Sequence, residues 1–238
     1  MQLPFFFTNT TGKTGELITV PEETSKHIIS VLRMTKGERL HLTDGKGLLM
    51  TATIVDDHKK RCTVEVTEAV FQPFDGRSIS IGISLLKNSS RFEWFLEKAT
   101  EIGVFNIIPL ICDRTEKQSF RLDRMQGVIE SATLQSRQVW MPQLVEPMKL
   151  AGFLAKTSEE GIHKFIAHCA PGEKPLLSQV NLKSSGDLTI LIGPEGDFSE
   201  DEIKEALHRS YKPVSLGNTR LRTETAGMVA AVILKQYS

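Results

Sequence analysis

The chain has 238 residues, enough to bury one large core or two small ones, and its 40% hydrophobic and 24% charged content is ordinary for a globular protein. No apolar run approaches the ~20 residues of a membrane span, and Pro4 with Phe5 to Phe7 lacks the basic region and long apolar core of a secretory leader. A formal charge of zero argues against a general polyanion binder, while three distant cysteines (Cys62, Cys112, Cys169) and six scattered histidines exclude a disulfide framework, give no metal site and fit a reducing cytoplasm.

In chain order, residues 1 to about 72 read as β-rich. Leu17 to Val20 is strand-like, and Pro21 to Leu32 reads as a helix with Ile28, Ile29 and Leu32 on one side. Arg39 to Thr43, Leu48 to Val55 and Arg61 to Ala69 are further strands, the first two joined at Asp44–Gly45, a strong hairpin signal. Short strands separated by turns predict a small barrel. Phe71 to Gly76, with a Pro and a Gly, is the candidate linker.

From Arg77 strands alternate with helices, the pattern of a parallel sheet covered on both faces. Ser78 to Leu86 is a strand. Ser90, with Glu93 three residues on, is read as the cap of a helix burying Phe92, Phe95, Leu96, Ala99 and Ile102 and ending at Gly103. Phe105 to Ile111 is a strand, Arg121 to Gln138 a helix, Leu144 to Val145 a brief strand, Lys149 to Lys156 a short helix and His163 to His168 a strand. Between Arg114 and Arg137 five basic residues, Lys117 among them, oppose three acidic ones; a surplus of +2 is what a solvated helix face carries.

The chemistry concentrates in two C-terminal stretches. Leu188 to Ile192 is a buried-strand run, broken by Gly193, Pro194 and Gly196, after which Ser199 and Glu202 form a capping box ahead of Ile203, Ala206 and Leu207. Pro213 to Leu216 repeats the pattern as strand, Gly217, loop, and then Thr223 as the expected cap of the last helix. Two such loops, each ending at a helix N-terminus, can turn backbone N–H groups toward one ligand. The last helix reads AGMVAAVILK, apolar nearly all round, and burial in a monomer core or in a dimer interface accounts for it equally. No Ser–His–Asp pattern, phosphate loop, HExxH or GxGxxG is present. The residues by themselves lead to a small-molecule site among the last βα loops of an α/β domain, with Arg222 as a binder of an anion or carbonyl unless it merely pairs with Glu195 or Glu224.

The wording of these stretches carries more. LIGPEG (Leu191 to Gly196) and SLG–LRTETA (Ser215 to Ala226) resemble the trefoil-knot (SPOUT-class) RNA methyltransferases, in particular the bacterial 16S rRNA uracil-N3 methyltransferase family. HIISVLRMTKGERLHLTDGKG (His27 to Gly47) is similar to that family's PUA-like RNA-binding barrel, and RFEWFLEKATEIGVFNIIPLICDRTE (Arg91 to Glu116) to its first helix and strand. The resemblance covers almost the whole chain and implies an α/β protein with a PUA-like β-barrel over 1–72, a linker over 73–77 and a knotted methyltransferase domain over 78–238. It implies S-adenosylmethionine as methyl donor, 16S rRNA in the small ribosomal subunit as substrate, and a homodimer through the knot helices, including the C-terminal one.

By the same resemblance, Ile192, Gly193, Gly196, Leu216, Gly217, Leu221, Thr223 and Ala226 hold the cofactor, and Arg33, Lys87, Lys98 and Arg114 face rRNA. Uracil N3 gains its lone pair only on deprotonation, so a cation near the carbonyl oxygens favours reaction; Arg222 is assigned that role and Glu195 the proton. The chain departs from the family at Asp197, where a second Gly is usual, and at Gln135–Ser136–Arg137–Gln138, where Gln–x–Gly–Arg is usual. A ribose 2′-oxygen methyltransferase of the same fold and a non-catalytic ribosome-assembly protein are the rival readings.

Overall fold

A computed structural model describes residues 2–116, 119–156, 161–182 and 185–237; Lys117, counted above among the basic residues, lies outside them. The chain divides into two compact units, Met1–Asp75 with Thr133–Met141, and Gly76–Ala132 with Pro142–Ser238. This differs from the division read in the sequence by giving 133–141 to the first unit.

The first unit is a five-stranded sheet in the order β1-β3-β4-β5-β2, from Phe5–Phe7 (β1), Leu17–Thr19 (β2), Arg39–Thr43 (β3), Leu48–Asp56 (β4) and Thr63–Phe71 (β5). β1 runs parallel to β3 and the other pairs are antiparallel. Period-2 patterning turns Leu40, Leu42, Met50, Ala52, Ile54, Val64 and Val66 into one core, where each fully buried Leu or Ile contributes roughly 1.5–3 kcal/mol. The β3–β4 hairpin closes as expected at Asp44, whose carboxylate accepts from the N–H groups of Lys46 (2.7 Å) and Leu48 (3.1 Å). The helix expected over 21–32 is α1 (Glu22–Lys26) followed by one π-helical turn, His27–Val31. Trp140, from the 133–141 segment, sets its ring edge-on to Phe71 and Phe74 and donates from Nε1 to the Gln72 carbonyl at 3.0 Å.

The second unit is a seven-stranded, wholly parallel sheet: Ile79–Ser84 (β6), Asn106–Ile111 (β7), Gln143–Leu144 (β8), Met148–Lys149 (β9), Ile162–Ala167 (β10), Asp187–Ile192 (β11) and Lys212–Val214 (β12). The order is β12-β10-β11-β6-β7-β8, with β9 also on β7. The helices are α2 (Ser89–Ile102), α3 (Leu122–Ser136, whose residues from Thr133 on belong to the first unit), α4 (Leu150–Lys156), α5 (Glu200–His208) and α6 (Thr223–Lys235). α4 and α5 pack on one face through Leu150, Leu154, Ile203 and Ala206 against Leu110, Ile166 and Leu191. On the other face α6 lies against β6, β11 and α2, so closely that a Cβ at Gly227 would stand 2.6 Å from the Phe95 ring.

Two expected caps are corrected. α2 is capped by Asn88, whose side chain accepts from Ser90 N–H at 2.9 Å; Asn serves here as well as Ser, and Glu93 pairs instead with Arg124 at 2.8 Å. α6 has Arg222 at its N-cap position without a side-chain cap bond, and Thr223, its first helical residue, donates through Oγ1 to the Gly193 carbonyl at 3.0 Å. The Ser199–Glu202 capping box forms in both directions, and Gly103 ends α2 at φ 88°. α6 is not enclosed on all sides: Val232 on its outer side is 45% exposed within the single chain.

Candidate active site

Parallel strands place all their C-terminal ends on one edge, where the loops that follow are free to hold a ligand. Because β10 sits between β11 and β12, the loops after these three strands meet. They enclose a cavity of about 350 Å³ lined by Ala167, His168 and Cys169 after β10, by Ile192 to Glu195 and Asp197 after β11, and by residues 214–217, 219–223 and 226.

Of the residues assigned to the cofactor, Ile192, Gly193, Leu216, Gly217, Leu221, Thr223 and Ala226 line this cavity, as do Arg222 and Glu195. Gly196 does not; its carbonyl accepts from Arg114 Nη1 at 2.7 Å, and Phe198 O from the same nitrogen at 3.4 Å, so Arg114 clamps the loop. Two glycines suit their places, one by backbone conformation and one by close packing. Gly217 has φ 144°, and a Cβ at Gly193 would meet the Phe198 ring at 3.0 Å. The Thr223 bond to Gly193 joins the start of α6 to the loop after β11, two walls of the cavity.

Asp197 is in the left-handed region at φ 66°, as the glycine usual at that position allows, and Asp tolerates it better than most residues. Its Oδ2 accepts from Cys169 N–H at 2.7 Å, which ties the loop after β11 to the loop after β10. Arg137 likewise takes φ 57° at the end of α3, where the family pattern has Gly.

His168, read in the sequence only as the end of a strand, follows β10 and lines the cavity, because nothing local marks the residues at a strand's end as a cavity wall; the signal was a polar His–Cys pair closing an apolar strand. Its Nδ1 is buried with no hydrogen-bond partner among the described residues. Burial holds the imidazole pKa below its ordinary value, Lys174 adds to the effect and Asp197 opposes it. Glu195 is exposed on the rim, and its carbonyl accepts from Arg220 at 3.4 Å. Among the described residues Arg222 makes no ion pair, and buried Glu224 pairs with Arg91 at 3.7 Å.

The basic residues assigned to rRNA are not gathered there. Arg33 is exposed in the first unit at φ 56°. Lys87 pairs with Glu116 at 2.7 Å, and Lys98 is held by Glu97 and Glu101 at 2.8 and 2.9 Å. No group of side chains able to hold a metal occurs among the described residues, and no described helix is long and apolar enough to cross a membrane.

This arrangement has counterparts. The family model of an RNA methyltransferase domain matches residues 75–235, the whole cavity included. The chain belongs to the RNA methyltransferase family. A second match, to the RNA methyltransferase PUA domain, covers residues 20–67, which hold β3, β4 and the first part of β5, so the first unit contains a PUA-like domain. Among curated members, the ribosomal RNA small subunit methyltransferase E of Rickettsia conorii is 27% identical over 205 residues, 86% of this chain and 83% of that one. Among solved structures, a probable rRNA-methyltransferase from Porphyromonas gingivalis is 34% identical with a TM-score of 0.91, covering 99% of this chain and 98% of that chain. The ribosomal RNA small subunit methyltransferase E from Neisseria gonorrhoeae, bound to S-adenosyl methionine, is 27% identical with a TM-score of 0.87 over the same shares. A family member with this architecture along its whole length therefore binds that cofactor.

Proposed function

We propose that this chain methylates N3 of a uracil in 16S rRNA of the small ribosomal subunit, using S-adenosylmethionine. The observation that carries the proposal is the cavity at the meeting of three βα loops, with Arg222 and Glu195 on its wall, in a chain similar over its full length to a small-subunit methyltransferase bound to that donor. The residues present fit the donor. Ile192, Leu216, Leu221 and Ala226 offer apolar contact for an adenine, His168 Nδ1 is a buried polar atom in need of a partner, and Glu195 and Asp197 complement a sulfonium and an ammonium.

When bound, the donor supplies a methyl group already activated by its sulfonium, so the chain's task is to position N3 and manage its proton. Arg222 lies where its guanidinium stabilises the charge that spreads to the uracil oxygens on deprotonation, and Glu195 takes the proton while the electron pair stays on N3. The loops hold the donor through Ile192, Gly193, Leu216, Gly217, Leu221, Thr223 and Ala226, while Gly196, outside the cavity lining, is held by Arg114. Arg33 on the PUA-like unit, with Lys87, Lys98 and Arg114, contacts rRNA. The methyltransferase unit carries the trefoil knot of its class, the chain is a cytoplasmic homodimer, and the uncovered side of α6 at Val232 meets the partner.

Calorimetric titration with S-adenosylmethionine, followed by mass mapping of methylated nucleosides from treated small subunits, tests the reading. Saturable binding and 3-methyluridine are expected; methyl on a ribose, or a folded protein that binds no donor, would refute it. Arg222→Ala should lose about 10²–10³-fold in rate with donor affinity largely kept, the usual cost of removing a group that stabilises developing charge.

A further inference from the structure

Next to the donor cavity lies a second concavity of about 440 Å³, formed by the starts of two helices: Ser90, Arg91 and Trp94 from α2, and Arg222, Glu224 and Thr225 from α6. Arg222 lines both cavities. We infer that this groove is the docking subsite of the target nucleotide, whose base stacks on Trp94 with its reactive edge turned toward Arg222. The inference rests on the methyl-transfer reading above and adds residues that the reading does not contain.

Three observations carry it. Trp94 is 44% exposed, although its own helix buries Phe92, Phe95 and Leu96 completely enough to form a core. An indole held in solvent beside a cationic side chain is a stacking platform, and base–aromatic stacking contributes about 1–3 kcal/mol per base. The volume lies in the roughly 300–1,000 Å³ range of sites for ligands of nucleotide size.

The charges in the groove differ in what they are committed to. The Glu224 side chain, 9% exposed, lines the groove and pairs with Arg91 at 3.7 Å, so that both charges are engaged with each other. Arg222 makes no ion pair among the described residues, so its N–H groups are available to a base edge. Uracil presents two carbonyl acceptors flanking N3. Cytosine replaces one of them with an amino donor, which a guanidinium cannot satisfy. Arg222 thus donates to a uracil carbonyl, Trp94 binds whichever base has left the helical stack, and Arg91 with Glu224 shapes the opening.

The chain has two tryptophans, so Trp140→Phe leaves Trp94 as the only indole reporter. Titrating that protein with a single-stranded uridine oligonucleotide should quench its fluorescence. Trp94→Ala should raise KM for small subunits about 5- to 150-fold, the equivalent of one lost stack, with donor affinity by calorimetry unchanged; Trp94→Phe should restore most of the loss. An oligonucleotide that binds without quenching, or Trp94→Ala kinetics equal to wild type, overturns the inference. A Trp94→Ala protein that changes its association state also overturns it, by assigning the indole to a subunit contact. If the unaltered protein methylates no RNA but the uridine oligonucleotide still quenches Trp94, the methyl-transfer reading fails and the nucleotide groove stands.

Discussion

Replacing Asp197 separates two opposing effects at one position. At φ 66° the residue occupies the left-handed region, which costs a non-glycine side chain about 1–2 kcal/mol, less for Asp. Against this stands the 2.7 Å bond from Cys169 N–H to Oδ2, which joins two walls of the donor cavity. A hydrogen bond to a charged group contributes about 1.5–3 kcal/mol, and partial exposure puts this one near the lower end. Asp197→Gly relieves the backbone and loses the tie, for a net loss of about 1 kcal/mol. Asp197→Ala loses the tie and keeps the strain, for about 2 kcal/mol. Asp197→Asn keeps one acceptor oxygen and a tolerance for this φ, and should lose under about 1 kcal/mol. Thermal unfolding should therefore rank the variants Asn, Gly, Ala in falling order, with steps of about 2–4 °C per kcal/mol for a chain of this size. Donor affinity by calorimetry should fall in step, because the loop carrying His168 is released. A glycine variant as stable as wild type would show that the tie contributes no more than the backbone strain it accompanies; an alanine variant equal to the glycine one would refute the backbone reasoning.

Gly227→Ala should destabilise the protein, although Ala is the better helix former by about 1 kcal/mol. Its Cβ would meet the buried Phe95 ring at 2.6 Å and Ile83 at 3.0 Å, and overpacking of that kind costs about 1–3 kcal/mol; a raised unfolding temperature would contradict the packing. Thiol titration of the native protein should find one fast cysteine. Cys169 is exposed, whereas burial removes Cys62 and Cys112 from the reagent and pushes their pKa values to about 11 and about 12. S-adenosylmethionine should slow Cys169, which lines the cavity; a second fast thiol, or no protection by the donor, would count against the site.

Local grammar was legible where one short segment decides the outcome. The Ser199–Glu202 box, the left-handed Gly103 and the Asp44 hairpin turn form as their residue types require. The same grammar misled at Ser90 and Thr223. Several residues near a helix start can each supply a capping oxygen, and the choice is made by neighbours distant in sequence: Thr223 bonds Gly193 rather than its own helix. His168 and Cys169 could not be assigned at all, because their role depends on which strands flank β10.

The sequence by itself determined the alternation of strands and helices, the glycine-bearing loops after β11 and β12, and the motifs that place the chain among RNA methyltransferases. These follow from sterics and hydrogen bonds within a few residues. Only the tertiary structure decided that β10 lies between β11 and β12, that segment 133–141 joins the first unit, and that Arg222 stands between two cavities. Strand order is set by the burial of whole faces against helices far apart in the chain, an energy that no single stretch contains.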